Sequence, residues 1–336
     1  MAAVGACAGF GSICGSSLAT AATMSRVALP ELRQYGYSGG FSTATLAAGG
    51  TLGILIPPSV ILVIYAILTE QNIAKLFLAA FVPGLLAALG YILTISVYVR
   101  LYPDAAGVRE PVPMPERLRA LIDVWPVILV FGLVVGGIYR GWFTPTEGAA
   151  VGAAGTGILA LLSGNLTWRV FIESIIATAT STAMIFFIVL GAGFYNSFLA
   201  LSQLPQELSA WVVGLGLSPW MVLTLVLAFY LVFGCLMDSL SMILLTIPIF
   251  FPVISILDFG MTPEHVAIWF GILVLIVVEV GLITPPVGMN LFIINAMDRT
   301  TPMTETYKAV MWFVTSDILR VVILVLFPAI TLFLLP

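Results

Sequence analysis

The chain has 336 residues, of which 61% are apolar and 8% charged, with a formal net charge of −4. A soluble domain of this length would carry roughly 25% charged residues, so a mean hydropathy of +1.15 excludes a water-soluble globular protein and a basic nucleic-acid binder. What remains is an all-α polytopic membrane protein, with room for about ten spans of about 20 residues each.

Residues 1–12 read as the end of a helix, with no basic start that would mark a cleavable signal peptide. Gly15-Ser16-Ser17 breaks this helix, and 18–29 returns as a second short one. Each arm is too short for a hydrocarbon core of about 30 Å, so the pair is expected as a re-entrant hairpin with its tip near the midplane. A polar connection is expected over 30–38. It leads to a helix over 41–68 interrupted at Pro57-Pro58, and then to a complete span over 73–100. The proline- and charge-rich stretch 102–123 is expected to be a cytoplasmic linker between a first repeat (1–101) and a second (124–336). Helical segments follow at 124–139, 148–162 and 171–201. A short interfacial helix is expected over 203–217, with Trp211 at headgroup depth. A second hairpin at 219–236 and 239–257 turns around Asp238, a second broken helix covers 265–297, and a final span covers 306–335. Cys7, Cys14 and Cys235 lie in apolar segments and read as small packing residues. His265 stands alone at a helix start.

The chain says nearly the same thing twice. Gly53-Ile54-Leu55-Ile56-Pro57-Pro58 recurs as Gly281-Leu282-Ile283-Thr284-Pro285-Pro286, and Gly11-Ser12-Ile13-Cys14-Gly15-Ser16-Ser17 aligns with Gly234-Cys235-Leu236-Met237-Asp238-Ser239-Leu240. Pro30 and Gly36 likewise align with Pro252 and Gly260. Paired Gly/Pro interruptions in corresponding halves of a membrane protein point to a transporter binding site. Hydrocarbon cannot satisfy the main-chain groups such breaks expose. With 100–119 cytoplasmic, alternation puts Arg26, Arg33, Arg169, Arg299 and Lys308 inside and only Lys75 and Arg140 outside, as the positive-inside rule requires. The two hairpins then enter from opposite sides, so the repeats are inverted, each with a re-entrant hairpin and a broken helix. Far more chain precedes the second hairpin than the first, so the counterpart helices are expected ahead of residue 1.

Several stretches resemble the large membrane subunit of tripartite ATP-independent periplasmic (TRAP) transporters, the DctM-like family. They are Gly15-Ser16-Ser17-Leu18-Ala19-Thr20-Ala21-Ala22, 53–59 with Tyr65-Ala66, Phe81-Val82-Pro83-Gly84, Phe143-Thr144-Pro145-Thr146-Glu147-Gly148-Ala149-Ala150, and 279–290. The departure is at the start, where the family carries further helices ahead of Gly11. The resemblance implies an elevator-type ion transporter in a bacterial inner membrane, with sodium as coupling ion and no other cofactor. It also implies a small four-helix membrane partner, a periplasmic substrate-binding protein, and small organic acids such as dicarboxylates, keto acids or sialic acids as cargo.

Sodium is a hard cation and prefers oxygen ligands. One site is expected from Ser12, Gly15 and Ser16 with the Gly53 to Pro57 break. A second is expected from Asp238, Ser239 and Ser241 with Thr284, Gly288 and Met289. The competing reading is that small residues at the tips serve only close helix packing. Asp238 is the sharpest residue, because an intramembrane carboxylate is expensive and usually functional. It is read as a cation ligand, against a protonated acid or a proton-coupling site. Glu279 is open between helix-stabilising, gating and ligating roles. An anionic cargo would rest between the tips, facing the half-helix N-termini at Ser17 and Ser239, with Thr20, Thr284 and Asn290 as hydrogen-bonding partners. Thr146 is expected to cap a helix beside Glu147, and Asp317 to pair with Arg320 three residues on. No nucleophile has a base beside it, so an enzyme is not expected.

The sequence therefore predicts sodium-driven uptake of an organic anion by hairpins moving against a scaffold of the spans at 73–100, 124–162 and 306–335. A stand-alone sodium/divalent-anion symporter is the alternative. A channel would need a continuous polar pore, which the chain does not offer.

Overall fold

A computed structural model describes residues 1–107 and 113–335. The first hairpin is α1 (Ala2–Cys14) with α2 (Ser17–Gln34), and the first broken helix is α3 (Gly39–Leu55) with α4 (Val60–Thr69). A long helix α5 (Ile73–Leu101) follows, then α6 (Met114–Asp123), α7 (Trp125–Tyr139), α8 (Pro145–Leu162), α9 (Trp168–Ser202) and α10 (Leu204–Gly214). The second hairpin is α11 (Pro219–Gly234) with α12 (Ser239–Ser255), and the second broken helix is α13 (Pro263–Gly281) with α14 (Met289–Met297). The described chain closes on α15 (Met303–Leu326) and α16 (Pro328–Leu332). Among the described residues, α5, α9, α13 and α15 are long and apolar enough to cross a membrane, and the pair α3–α4, bent by 44°, makes a fifth candidate. The all-helical polytopic class expected from composition is what the chain forms.

Three local expectations are corrected. The first hairpin's return arm does not stop at residue 29 but runs through Pro30 to Gln34. Pro30 removes one helical hydrogen bond, but buried Leu29 and an ion pair from Arg33 hold the extra turn in place. The final span ends at Leu326, because Pro328 has no N–H and disfavours helix at Phe327. The cap of α8 is Thr144, not Thr146. Its Oγ1 accepts from the Glu147 N–H at 3.3 Å while the Glu147 carboxylate accepts from the Thr144 N–H at 2.7 Å, with Pro145 at the first helical position. The expected linker carries a 3-10 turn (Pro103–Ala105) and α6, and its residues 108–112 lie outside the described residues.

The chain divides into two compact units, Met1–Val108 with Tyr195–Pro336, and Arg109–Phe194. In the smaller unit α7 packs on α8 around Val130, Val134 and Ile138. In the larger unit α3 and α13 form the buried centre. Helices α1 and α2 pack on α3, while α11 and α12 pack on α13. The far arms are exchanged: α4 packs on α12 of the second hairpin, and α14 on α2 of the first.

Buried polar contacts tie α5 and α15 to this centre. Thr51 Oγ1 lies 2.9 Å from the Tyr91 hydroxyl, which donates to Asp317 Oδ2 at 2.7 Å. Asp317 meets Arg320 at 2.8 Å, as the spacing of the two residues predicts. Thr43 and Thr306 hydroxyls are 2.8 Å apart, and Trp269 Nε1 donates to the Leu324 carbonyl at 2.9 Å.

The base of the first hairpin is fastened by Asp298, which follows α14. Its carboxylate accepts from Arg33, from Thr301 Oγ1 at 2.7 Å, and from the N–H and hydroxyl of Thr300 at 3.1 and 2.9 Å. Burial pushes this carboxyl up, but the bonds from Thr301, Arg33 and Thr300 outweigh it and hold it below the usual carboxylate range. A group depressed in the folded state adds stability that is complete above its unfolded value and lost as pH falls through the folded one. The thermal midpoint of the purified protein is therefore expected to drop below about pH 4. Asp298→Asn should lower the midpoint at neutral pH and flatten that acid limb, as scanning fluorimetry can show. An unchanged acid limb in the variant would remove Asp298 from this role.

Candidate functional site

Pro57 and Pro58 have no N–H, so the carbonyls of Gly53 and Ile54, four residues earlier, lose their helical donors. Neither receives another hydrogen bond among the described residues. Pro285 and Pro286 strip Gly281 and Leu282 in the same way. There the carbonyls are taken instead by the N–H groups of Thr284 at 2.9 Å and Asn290 at 3.0 Å. Both Pro–Pro bonds are cis. The hydroxyl of Tyr307 donates to the Pro286 carbonyl at 2.8 Å, so the second break is the better satisfied of the two.

Each hairpin docks on its break through glycine. A Cβ on Gly11 would lie 2.5 Å from Gly53 Cα, and one on Gly281 would lie 2.7 Å from Gly234 Cα. The same main-chain contact is thus made twice, at positions that align in the repeat. Only Gly allows backbones this close.

At the first tip, Gly15 takes a left-handed conformation (φ 63°) and donates its N–H to the Gly11 carbonyl at 2.7 Å. A Cβ there would lie 3.6 Å from the Pro58 carbonyl oxygen and 3.7 Å from the Val60 nitrogen, so Gly15 lies against the start of α4, just past the Gly53–Pro57 segment. Ser16 caps α2 by accepting from the Ala19 N–H at 3.4 Å, and buried Ser12 turns its hydroxyl back onto the Gly9 carbonyl at 2.8 Å. At the second tip Asp238 caps α12, accepting from the Ser241 N–H at 3.0 Å. Gly288, at φ 65°, donates to the Cys235 carbonyl at 3.3 Å and fastens the break to the turn. Met289 opens α14, and the Thr284 hydroxyl donates to the Val280 carbonyl at 2.6 Å. No hydrogen bond among the described residues joins Asp238 to Thr284, Gly288 or Met289.

Glu279 links the two tips. It is 1% exposed, and it accepts from the Ser17 hydroxyl through Oε2 and from the Ser239 hydroxyl through Oε1 at 2.6 Å. Ser17 and Ser239 are the first residues of α2 and α12, where helix amides favour an anion. The hydroxyls expected to face cargo are thus engaged by a carboxylate of the chain itself. Residue type alone flagged Glu279, as an acid inside an apolar span. No spacing rule could show its partners, which lie 262 and 40 positions away along the chain.

Two other expected cargo contacts are open. Among the described residues Thr20 Oγ1 and Asn290 Oδ1 are buried without a hydrogen-bond partner, although the Cys14 thiol approaches Thr20. Asn290 Nδ2 donates to the Ala47 carbonyl at 3.3 Å. A buried unpaired polar atom costs about 1–3 kcal/mol, so each of these two calls for a specific account.

The family described as "Tripartite ATP-independent periplasmic transporter, DctM component" matches residues 1–330. The chain belongs to this family. It is 36% identical over 333 residues to the C4-dicarboxylate TRAP transporter large permease protein DctM of Pseudomonas aeruginosa, covering 99% of this chain and 76% of that protein. The protein of the same name from Rhodobacter capsulatus is 33% identical over 348 residues, covering 99% and 77%. The sialic acid TRAP transporter large permease protein SiaM of Vibrio cholerae is 30% identical over 326 residues, covering 97% and 74%. The DctM-family chain is a transporter permease and not an enzyme.

Proposed function

We propose that this DctM-family permease couples sodium entry to uptake of a small carboxylate across the bacterial inner membrane. It works with a small four-helix membrane subunit, and a periplasmic binding protein delivers the cargo. One observation carries the reading: two proline-broken helices each receive the first arm of a hairpin through a glycine–glycine contact within one compact unit. Relatives named for C4-dicarboxylates and for sialic acid share the carboxylate.

The first sodium site is the stripped carbonyl pair of Gly53 and Ile54, the Gly53–Pro57 segment, and the tip residues Ser12, Gly15 and Ser16. The second is Asp238, Ser239 and Ser241 with Thr284, Gly288 and Met289. The cargo lies beside Thr20, Thr284 and Asn290, next to Ser17 and Ser239. The two hairpins form inverted halves of an elevator body. That body includes α5 and α15, which sequence reasoning put in the scaffold. Sliding them past α3 and α13 would break the buried Tyr91–Asp317, Thr43–Thr306 and Trp269–Leu324 bonds, at about 1 kcal/mol or more each.

The test is uptake of labelled anion by vesicles holding the permease, its small subunit and a candidate binding protein. Replacing sodium with potassium should abolish uptake, and unchanged uptake rejects the coupling ion. Uptake without the binding protein would instead identify a stand-alone symporter. Asp238→Asn should raise the half-saturating sodium concentration by about tenfold, which corresponds to ~1.4 kcal/mol of lost cation binding. A wild-type sodium curve would remove Asp238 from the ligand set.

A further inference from the structure

We propose that Glu279 is a positioning residue that couples the two hairpin tips, so that a change of state at one is transmitted to the other. The glycine contacts hold each hairpin to the broken helix of its own half: Gly11 on Gly53 and Gly234 on Gly281. The Ser239–Glu279 bond also stays within the second half. The Ser17–Glu279 bond does not, because it runs from the first hairpin to the centre of the second half.

Its placement suits transmission. Ser17 directly follows Ser16 and lies two residues past Gly15; Ser239 directly follows Asp238. Each hydroxyl is therefore adjacent in sequence to a group proposed to hold a cation. A carboxylate only accepts hydrogen bonds, so both serines must donate to it, and turning either hydroxyl away leaves a buried oxygen short of a donor. Several serines inside helices satisfy their hydroxyls on a carbonyl of their own helix, as Ser12 does on Gly9 and Ser209 on Pro205. Ser17 and Ser239 stand at helix starts, where no preceding turn offers such a carbonyl, and they converge on one side chain. That side chain sits in α13, whose residues from Val266 to Gly281 are all buried, so the strut has a firm base.

This inference rests on the transport reading above, and its consequence is positive cooperativity between the two tips. Coupling of this kind is typically worth 5–150-fold in affinity, in both directions. The experiment uses the full chain with its small subunit. Cys7, Cys14 and Cys235 are replaced, and spin labels are placed at Ile13 and Leu236, which are 47% and 54% exposed beside the two turns. The unsubstituted strut should give one narrow tip-to-tip distance. Ser17→Ala removes only the bond between halves and should broaden that distribution; Glu279→Ala should broaden it further. Glu279→Gln keeps the shape, with one amide atom able to accept and the other to donate, and should largely restore the narrow distance. The sodium activation curve of uptake should lose its steepness in Ser17→Ala, with the Hill slope falling toward that of independent sites. Identical distance distributions in the parent, Ser17→Ala and Glu279→Ala would overturn the strut. Uptake that ignores sodium would instead overturn the coupling ion and leave the distances to decide the strut. Ser17→Ala has no large volume to lose, so it tests the proposal even if Glu279→Ala fails to fold.

Discussion

Asp317→Ala is expected to destabilise the permease by about 3–5 kcal/mol, the usual consequence of stripping one partner from a buried ion pair. The side chains of Asp317 and Arg320 are 2% and 7% exposed, and Asp317 also receives the Tyr91 hydroxyl. Without the carboxylate, a guanidinium whose Nε and Nη1 have no hydrogen-bond partner among the described residues is left uncompensated among apolar helices. Replacing both residues, as Asp317→Leu with Arg320→Met, removes the stranded charge and should be far milder. Thermal unfolding of purified protein distinguishes the two. If the double variant melts as early as Asp317→Ala, desolvation of the orphaned arginine is not the cause.

Gly281→Ala is expected to cut uptake by on the order of tenfold or more. Its Cβ would lie 2.6 Å from the Gly234 carbonyl carbon and 3.0 Å from the Cys235 nitrogen, and neither is a flexible side-chain end that can swing away. Overpacking of this kind costs about 1–3 kcal/mol, and the movement it forces separates the second tip from its break. Gly11→Ala should do the same at the first tip. Gly9→Ala is the control, because nothing lies within 4 Å of its Cβ position and Ala favours helix. Equal uptake by Gly9→Ala and Gly281→Ala would mean that close backbone approach is not what the second tip needs.

Much of the fold was legible in the chain because its strongest signals are local. A double proline ends a helix whatever surrounds it, so both breaks fell where Pro57-Pro58 and Pro285-Pro286 stand. The three-residue spacing of Asp317 and Arg320 fixed a contact within one helix. What was not legible depends on partners remote in the chain. The extra turn of α2 past Pro30 follows from Arg33 meeting Asp298. The attachment of α5 and α15 to the centre follows from Tyr91 and Thr306, whose partners no periodicity reveals. At the site, the glycines and serines announced an irregular backbone, but not that Ser17 and Ser239 would turn to Glu279. The cap of α8 was misplaced for a simpler reason: Thr144 and Thr146 both flank Pro145, and only the observed bond to the Glu147 amide chooses between them.

The exchange of far arms bears on how the protein is made. Helix α4 is 10 residues long and α14 only 9, each well short of a bilayer crossing. Helix α4 packs most extensively on α12, which leaves the ribosome seconds to tens of seconds later at about 5–20 residues per second. Until then this arm rests on α3 and α5 of the early half. Chain synthesis halted before Ser239 would leave it without its largest packing surface, however well the first hairpin has formed.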